Sequence, residues 1–113
     1  MKKPLYADYI LERENSHYYE TDYGFVTYRE EDNHIYLVDM YIKPEYRKKG
    51  NGRQFVQYVE NIAKEWNKPS VITSVSLEAK GAETSTQAIL FCGFKFYSVN
   101  ENSSMVYFIK GVL

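Results

Sequence analysis

The residues best suited to chemistry lie in one segment, IKPEYRKKGNGRQF, residues 42–55 of a 113-residue chain. Pro44 ends a β-prone run, because proline has no amide to give to a strand ladder. Gly50 and Gly52 then precede a stretch with helical periodicity. Glycine leaves room for ligand atoms against the backbone, and the amides of Lys49, Gly50, Asn51, Gly52 and Arg53 fall where a helix start leaves donors unpaired. Aligned peptide dipoles add a partial positive charge there, which suits the segment to holding a phosphate. The side chains agree. Residues 43–53 hold Lys43, Arg47, Lys48, Lys49 and Arg53 against Glu45 alone, a net of +4, while residues 1–39 hold four basic against nine acidic residues, a net of -5. No Gly-Lys-Ser/Thr triplet follows the glycines, so this is not a Walker A loop. Phe55 stands where G-x-G-x-x-G needs its third glycine, which argues against a Rossmann dinucleotide site.

Such a loop needs a strand before it and a helix after it, and the flanking residues supply both. Residues 5–39 read as strands and turns. LYADYIL (5–11) is compatible with a first strand or a short helix, HYYETD (17–22) is extended in character, and GFVTYRE (24–30) alternates in the manner of a strand. EDN (31–33) is a turn, and HIYLVDMYI (34–42) returns antiparallel to 24–30. From Gly52 to Trp66 the apolar residues Phe55, Val59, Ile62 and Trp66 recur at spacings of four, three and four, with Val56 and Ala63 widening the stripe. That spacing predicts an amphipathic helix about 22 Å long with one face on a sheet. VITSVSL (71–77) is a β-branched strand, TSTQAILFC (84–92) a short helix ended by Gly93, and FKFYSV (94–99) and SMVYFIK (104–110) a hairpin across NENS.

A helix between strands 34–42 and 71–77 allows them to be parallel. The order implies an α+β fold of α/β three-layer character: a mixed, mainly antiparallel sheet with a central parallel pair and two packed helices. Ligands of such sheets sit beyond the carboxyl ends of the parallel strands, here residues 41–53 and 77–84. Most of the twelve tyrosines fall in strand-like contexts and read as sheet packing.

Composition bounds what else the chain does. A formal charge of -1 offers no global positive field and argues against direct nucleic-acid binding. Cys92 is the single cysteine, so there is no internal disulfide and no zinc site of four cysteines or two cysteines with two histidines, and we expect no metal. No run approaches the roughly 18 apolar residues of a membrane span, and the start, MKKPLYADYI, lacks the apolar stretch of a secretory leader. Lys2 and Lys3 read as a mobile basic end. These features predict one cytoplasmic domain over residues 1–113.

The segment RKKGNG (47–52) resembles the diagnostic Arg/Gln-x-x-Gly-x-Gly/Ala element of the GNAT superfamily of N-acetyltransferases, at the junction of the fourth strand and the long central helix. ILFCGFKFY (89–97) is similar to the short helix ending in Gly-Phe that family members carry farther on. The likeness covers about residues 40–110. It implies a GNAT-like fold and acetyl-coenzyme A as co-substrate, its pyrophosphate held by the Arg47–Arg53 loop and its pantetheine arm laid beside Met40, Tyr41 and Ile42. It also implies direct attack of a primary amine on the thioester, with a backbone amide near residue 42 polarising the carbonyl oxygen. A non-catalytic coenzyme A-binding or regulatory module of the same fold is the alternative.

Two departures from the family pattern bear on the acceptor. Only about 40 residues precede the matched strand, without a clear pair of amphipathic helices. That predicts an open acceptor side, suited to a lysine of a partner protein rather than a small primary amine, or completed by a second copy in a homodimer. The tyrosine that many members use to protonate the leaving thiolate is Ile89 here. The acid–base candidates are therefore Asp39, a carboxylate on an otherwise apolar strand, Glu78 after strand 71–77, and Tyr41 and Tyr97 as donors. His34 begins its strand at the end away from the loop and reads as exposed or capping, and His17 is less attached still. Cys92 and Trp66 read as core.

Overall fold

The computed structural model describes residues 4–112, so the basic end at Lys2 and Lys3 lies outside the described residues. The chain opens with α1 (Leu5–Glu14), the helical one of the two readings that LYADYIL allowed. Ala7 and Ile10, three apart, share one helical face and are buried, whereas Leu5, Tyr6 and Tyr9 are exposed. Two anchors make too faint a period to read from sequence. Asn15 ends the helix at φ 55, with its amide donated to the carbonyl of Leu11 at 3.1 Å.

Strands β1 (His17–Thr21), β2 (Gly24–Glu30) and β3 (Ile35–Ile42) form an antiparallel meander. A 3-10 turn at Pro44–Tyr46 leads to α2 (Asn51–Glu65) and then β4 (Ser70–Ser76). The last elements are α3 (Ala82–Phe91), β5 (Lys95–Asn100) and β6 (Met105–Gly111). The sheet order is β1-β2-β3-β4-β6-β5, with β3 and β4 the parallel pair and the other neighbours antiparallel. The mixed α+β sheet is as expected, but three α-helices accompany it rather than two.

The α2 stripe forms the core. Phe55, Val56, Val59 and Ala63 are buried against Val26, Tyr28, Ile35, Leu37 and Val71. Tyrosines fill the margins: Tyr19 stacks on Tyr58 with centroids 3.9 Å apart, and the Tyr28 hydroxyl meets that of Tyr58. Burial and this partner push the Tyr28 phenol well above its ordinary range. Trp66 is only half-buried, under His17 and Tyr28, because the helix ends at the sheet margin.

Two local features shape the middle of the sheet. The β3–β4 ladder holds only Ile35–Val71, Tyr36–Ile72 and Leu37–Thr73. Beyond it β3 runs on to Ile42 and β4 to Ser76 without pairing each other. At that point the β2–β3 register skips, Thr27 facing Asp39 and Tyr28 facing Leu37, which leaves Val38 as the extra residue of a bulge. A bulge bends its strand and sharpens the local twist. The Thr73 hydroxyl donates to the Leu37 carbonyl at 3.0 Å, the last tie before the strands part.

Lys110 holds the other side together. Its Nζ donates to Glu60 Oε1 on α2 and to the Cys92 carbonyl after α3, each at 2.8 Å. Gly93 lies beneath it at φ 95, and a Cβ there would fall 3.1 Å from Lys110 Cε. Both the backbone angle and the lysine require glycine.

Phe55 is fully buried and faces both Tyr19 and Tyr23 from the N-terminal third of α2. Phe55→Ala is expected to lower unfolding free energy by about 3–5 kcal/mol, measured by urea denaturation. A loss below about 1 kcal/mol would contradict this placement of the core.

Candidate active site

The parting of β3 and β4 opens a cleft of about 360 Å³. Gly52 and Val56 of α2, Ser85 and Ile89 of α3, and Cys92 and Phe94 are among the residues that line it. A second hollow of about 500 Å³ beside the β5–β6 hairpin is more open and lies away from the basic loop. Its size reflects solvent rather than enclosure.

The basic loop stands at the mouth of the cleft, shaped by two side chains that fold back on it. Arg47 Nε donates to the Ile42 carbonyl, and Asn51 Nδ2 to the Tyr46 carbonyl, each at 2.8 Å. Lys48 at φ 62 and Gly50 at φ 87 reverse the chain between them. Gly50 has open space where a Cβ would project, so conformation rather than crowding favours glycine there. A Cβ on Gly52 would meet Met40 Sδ at 3.6 Å and Ile42 Cδ1 at 3.7 Å, ordinary contacts that mark where α2 comes closest to β3. Gln54 supplies the first helical amide bond, to the Gly50 carbonyl at 3.1 Å. The amides of Lys48 through Arg53 donate to no group among the described residues. Unpaired amides at a helix start, with five cations along the loop, have the donors and charge that an anion cradle needs.

Of the residues singled out from sequence, Asp39, Met40 and Gly52 line the cleft. Arg47, Lys48, Lys49, Gly50 and Arg53 are exposed at its mouth, with the Arg53 guanidinium 5.6 Å from the Phe91 ring. Asn51 and Ile42 are half-buried behind them. Tyr41 turns to the opposite face of the sheet, where its ring meets Phe25 and carries the Arg47 guanidinium at 5.7 Å. Glu78 is exposed in the turn after β4, while its neighbours Ala79 and Lys80 line the cleft. Tyr97 is not brought to the cleft: it sits on the outermost strand β5, separated from β4 by β6. His34 is half-buried at the far end of β3, and burial holds its pKa below the ordinary 6.5. No cluster of metal-binding side chains occurs among the described residues.

The structure adds a pair that sequence reasoning missed. The Tyr36 hydroxyl is hydrogen-bonded to Ser74 Oγ, and Ser74 lines the cleft. The partners are 38 residues apart and on different strands, so only the β3–β4 register brings them together. Ile89 faces the cleft and carries no transferable proton. Cys92 also borders it, half-buried rather than fully buried.

A sheet that opens between two parallel strands, with a loop of free amides at the opening, characterises this α+β fold. The model of the GNAT acetyltransferase family matches residues 4–91, and the chain belongs to that family. No curated protein sequence matches it. Among solved structures, a GNAT-family structure from Desulfovibrio desulfuricans has a TM-score of 0.76 at 17% identity, covering 94% of this chain and 76% of that one. The PaiA N-acetyltransferase of Thermoplasma acidophilum in complex with coenzyme A has a TM-score of 0.68 at 22% identity, covering 79% and 53%. A Bacillus subtilis acetyltransferase in complex with coenzyme A has a TM-score of 0.66 at 19% identity, covering 98% and 85%. At these identities the likeness is one of fold. The matched region spans about half the length of the Thermoplasma protein.

Cys92 offers a direct probe of the cleft. Burial pushes its thiol above the ordinary value of 9.0, against the opposing pull of Lys110 and Arg53. Since the thiolate is the reactive form, alkylation by iodoacetamide at pH 8 is expected to run several-fold slower than for a free cysteine and to accelerate as pH rises past 9. Intact-mass time courses measure this, and a rate matching free cysteine at pH 8 would contradict the burial.

Proposed function

We propose that this protein moves an acetyl group from acetyl-coenzyme A to a primary amine, and that the amine is a lysine of a partner protein. The observation that carries this reading is the unpaired β3–β4 opening set directly behind the loop of free amides. The amides of Lys48–Arg53 and the nearby cations hold the pyrophosphate, and the exposed edge of β3 at Met40–Ile42 takes the extended arm as a further strand would. The thioester then reaches the opening, where unpaired β3 amides are available to polarise its carbonyl. Attack by a neutral amine forms the C–N bond as the C–S bond breaks, and the rate rests chiefly on positioning and oxyanion stabilisation. The half-buried single cysteine suits a reducing compartment such as the cytoplasm.

The acceptor is read from the other face of the sheet, where α1 packs beside β1. The rings of Tyr6, Tyr18, Phe25 and Tyr41 follow one another at 5.3, 5.4 and 5.8 Å across α1, β1, β2 and β3. Glu20 and Asp39 flank this row, and the Asp39 carboxylate has no ion-pair partner among the described residues. Aromatic faces and carboxylates together attract an ammonium group. A face with a single helix beside it encloses little, so the acceptor needs contacts beyond its amine. A docked protein supplies them. Asp39 borders both this face and the cleft, which suits it to bind the amine and take its proton. The alternative reading, a module that binds coenzyme A without turnover, draws on Ile89, because the cleft lacks the usual tyrosine.

Calorimetry and Cys92 labelling test the cofactor step together. Acetyl-coenzyme A is expected to bind far more tightly than ATP and to shield Cys92 from iodoacetamide. Gly52→Val is expected to raise its Kd at least tenfold, because branched methyls enter the path of the arm, while the melting temperature stays close to that of the wild type. Labelled acetyl-coenzyme A in a lysate tests the acceptor, with acetyl-lysine on a few proteins expected. Asp39→Asn should lower turnover by about 10²–10⁴-fold if its carboxylate is the base. Binding and shielding with no acetylated product would favour the non-catalytic module, and equal affinity for wild type and G52V would remove the site.

A further inference from the structure

The chemistry leaves one need unmet. When the C–S bond breaks, the departing thiolate requires a proton, and Ile89 offers none. Tyr97 lies two strands away on β5, and Tyr41 does not line the cleft. The hydroxyls that border the cleft are those of Thr73, Ser74, Ser76 and Ser85. Thr73 is already committed, its hydroxyl donated to the Leu37 carbonyl at 3.0 Å. Among the described residues, Ser76 and Ser85 show no second acid behind them. Ser74 alone is backed by one, the Tyr36 phenol.

We propose that Ser74 and Tyr36 form a proton relay to the leaving thiolate, replacing the tyrosine that the family pattern places at residue 89. This assignment rests on the acetyl-transfer reading. Ser74 stands one residue past Thr73, at the place where the β3–β4 ladder ends. The pair therefore lies at the apex of the opening rather than at its mouth. The Arg29 guanidinium lies 5.2 Å from the centre of the Tyr36 ring, on the side of β3 away from the core. It is itself paired with Glu31 at 2.8 Å. Phenols and alkyl thiols ionise in neighbouring alkaline ranges, so transfer between them through a hydroxyl is close to balanced.

The amine nitrogen bonds to the acetyl carbon, and its surplus proton passes to Asp39 or to solvent. The C–S electron pair stays on sulfur, which takes the Ser74 hydroxyl proton. Ser74 takes the proton of Tyr36, and the phenolate is reprotonated from solvent. No oxidant, reductant or further reactant enters.

The test uses the full chain, acetyl-coenzyme A and a basic peptide bearing one lysine, with thiol release read under saturating acetyl-coenzyme A. Release to water, without peptide, is recorded alongside. Ser74→Ala is expected to lower kcat by about 10²-fold and Tyr36→Phe by about 10-fold, with the Kd for acetyl-coenzyme A within about twofold of wild type. Ser74→Thr, which keeps a hydroxyl, should recover at least tenfold of the alanine loss. A structural role would move Kd and melting temperature with kcat and would show no such recovery, and that pattern overturns the relay. Undiminished release by Ser74→Ala overturns it as well. Thiol release by neither route in the wild type would defeat the acetyl-transfer reading itself, and the relay with it.

Discussion

Everything in this molecule that bears on function follows from two parallel strands that pair for three residues and then separate. A parallel ladder normally continues as long as both strands do, because each unpaired amide or carbonyl left in a sheet interior is costly. Here β3 and β4 stop pairing at Leu37 and Thr73 although both run on. The bulge at Val38 supplies the bend, and β2 stays bonded to β3 past it, with Asp39 N–H donated to Thr27 Oγ1 at 3.1 Å. β3 is thus held on its outer side and released on its inner side. The released backbone lines a cleft, and a ligand with amides of its own can complete the interrupted ladder.

The remaining elements keep that opening from closing. Phe55, Val56 and Val59 fix α2 on the β2–β3 side, and the loop before it closes through Arg47 and Asn51. The third side depends on a charge. Lys110 joins Glu60 to the Cys92 carbonyl, so α2 and the α3–β5 turn are referenced to one ammonium group on β6. Hydrogen bonds to a charged group are stronger than neutral ones. α3 itself buries no residue fully, and this ammonium compensates for a helix with little apolar anchorage. Gly93 is then explained by the lysine lying over it as much as by its own backbone angle.

The sequence made α2 and its loop legible for a physical reason: a 15-residue helix with one apolar stripe, preceded by proline, cations and glycines, is specified locally. The hairpins were legible likewise, because alternation and turn residues act over a few positions. α1 was legible only as a helix or a strand, since Ala7 and Ile10 are its only buried residues and no side chain caps it. The misplaced expectation for Tyr97 shows a different limit. Its strand was read correctly, but which neighbour that strand takes depends on the whole sheet, and β6 intervenes. Tyr36 and Ser74 mark the same limit from the other side. Each looked like an ordinary strand residue, and their significance arises only from a register between segments 38 residues apart.

The slender far face closes the physical argument. Enclosed acceptor sites gain orientation by surrounding a small molecule and excluding water. Here a single short helix flanks the sheet, and the aromatic row beside it is partly open, with Tyr6 and Tyr41 52% and 44% exposed. Rings at this spacing are stiffened by one another, and Tyr18 is further tied by its hydroxyl to Glu20. Burial and that bond push the Tyr18 phenol up to about 12. Under the proposed function, an open face of rings and carboxylates serves to align an extended cationic segment whose own contacts supply the missing orientation. On the proposed acceptor reading, selectivity rests less on pocket shape than on the charge and length of what docks.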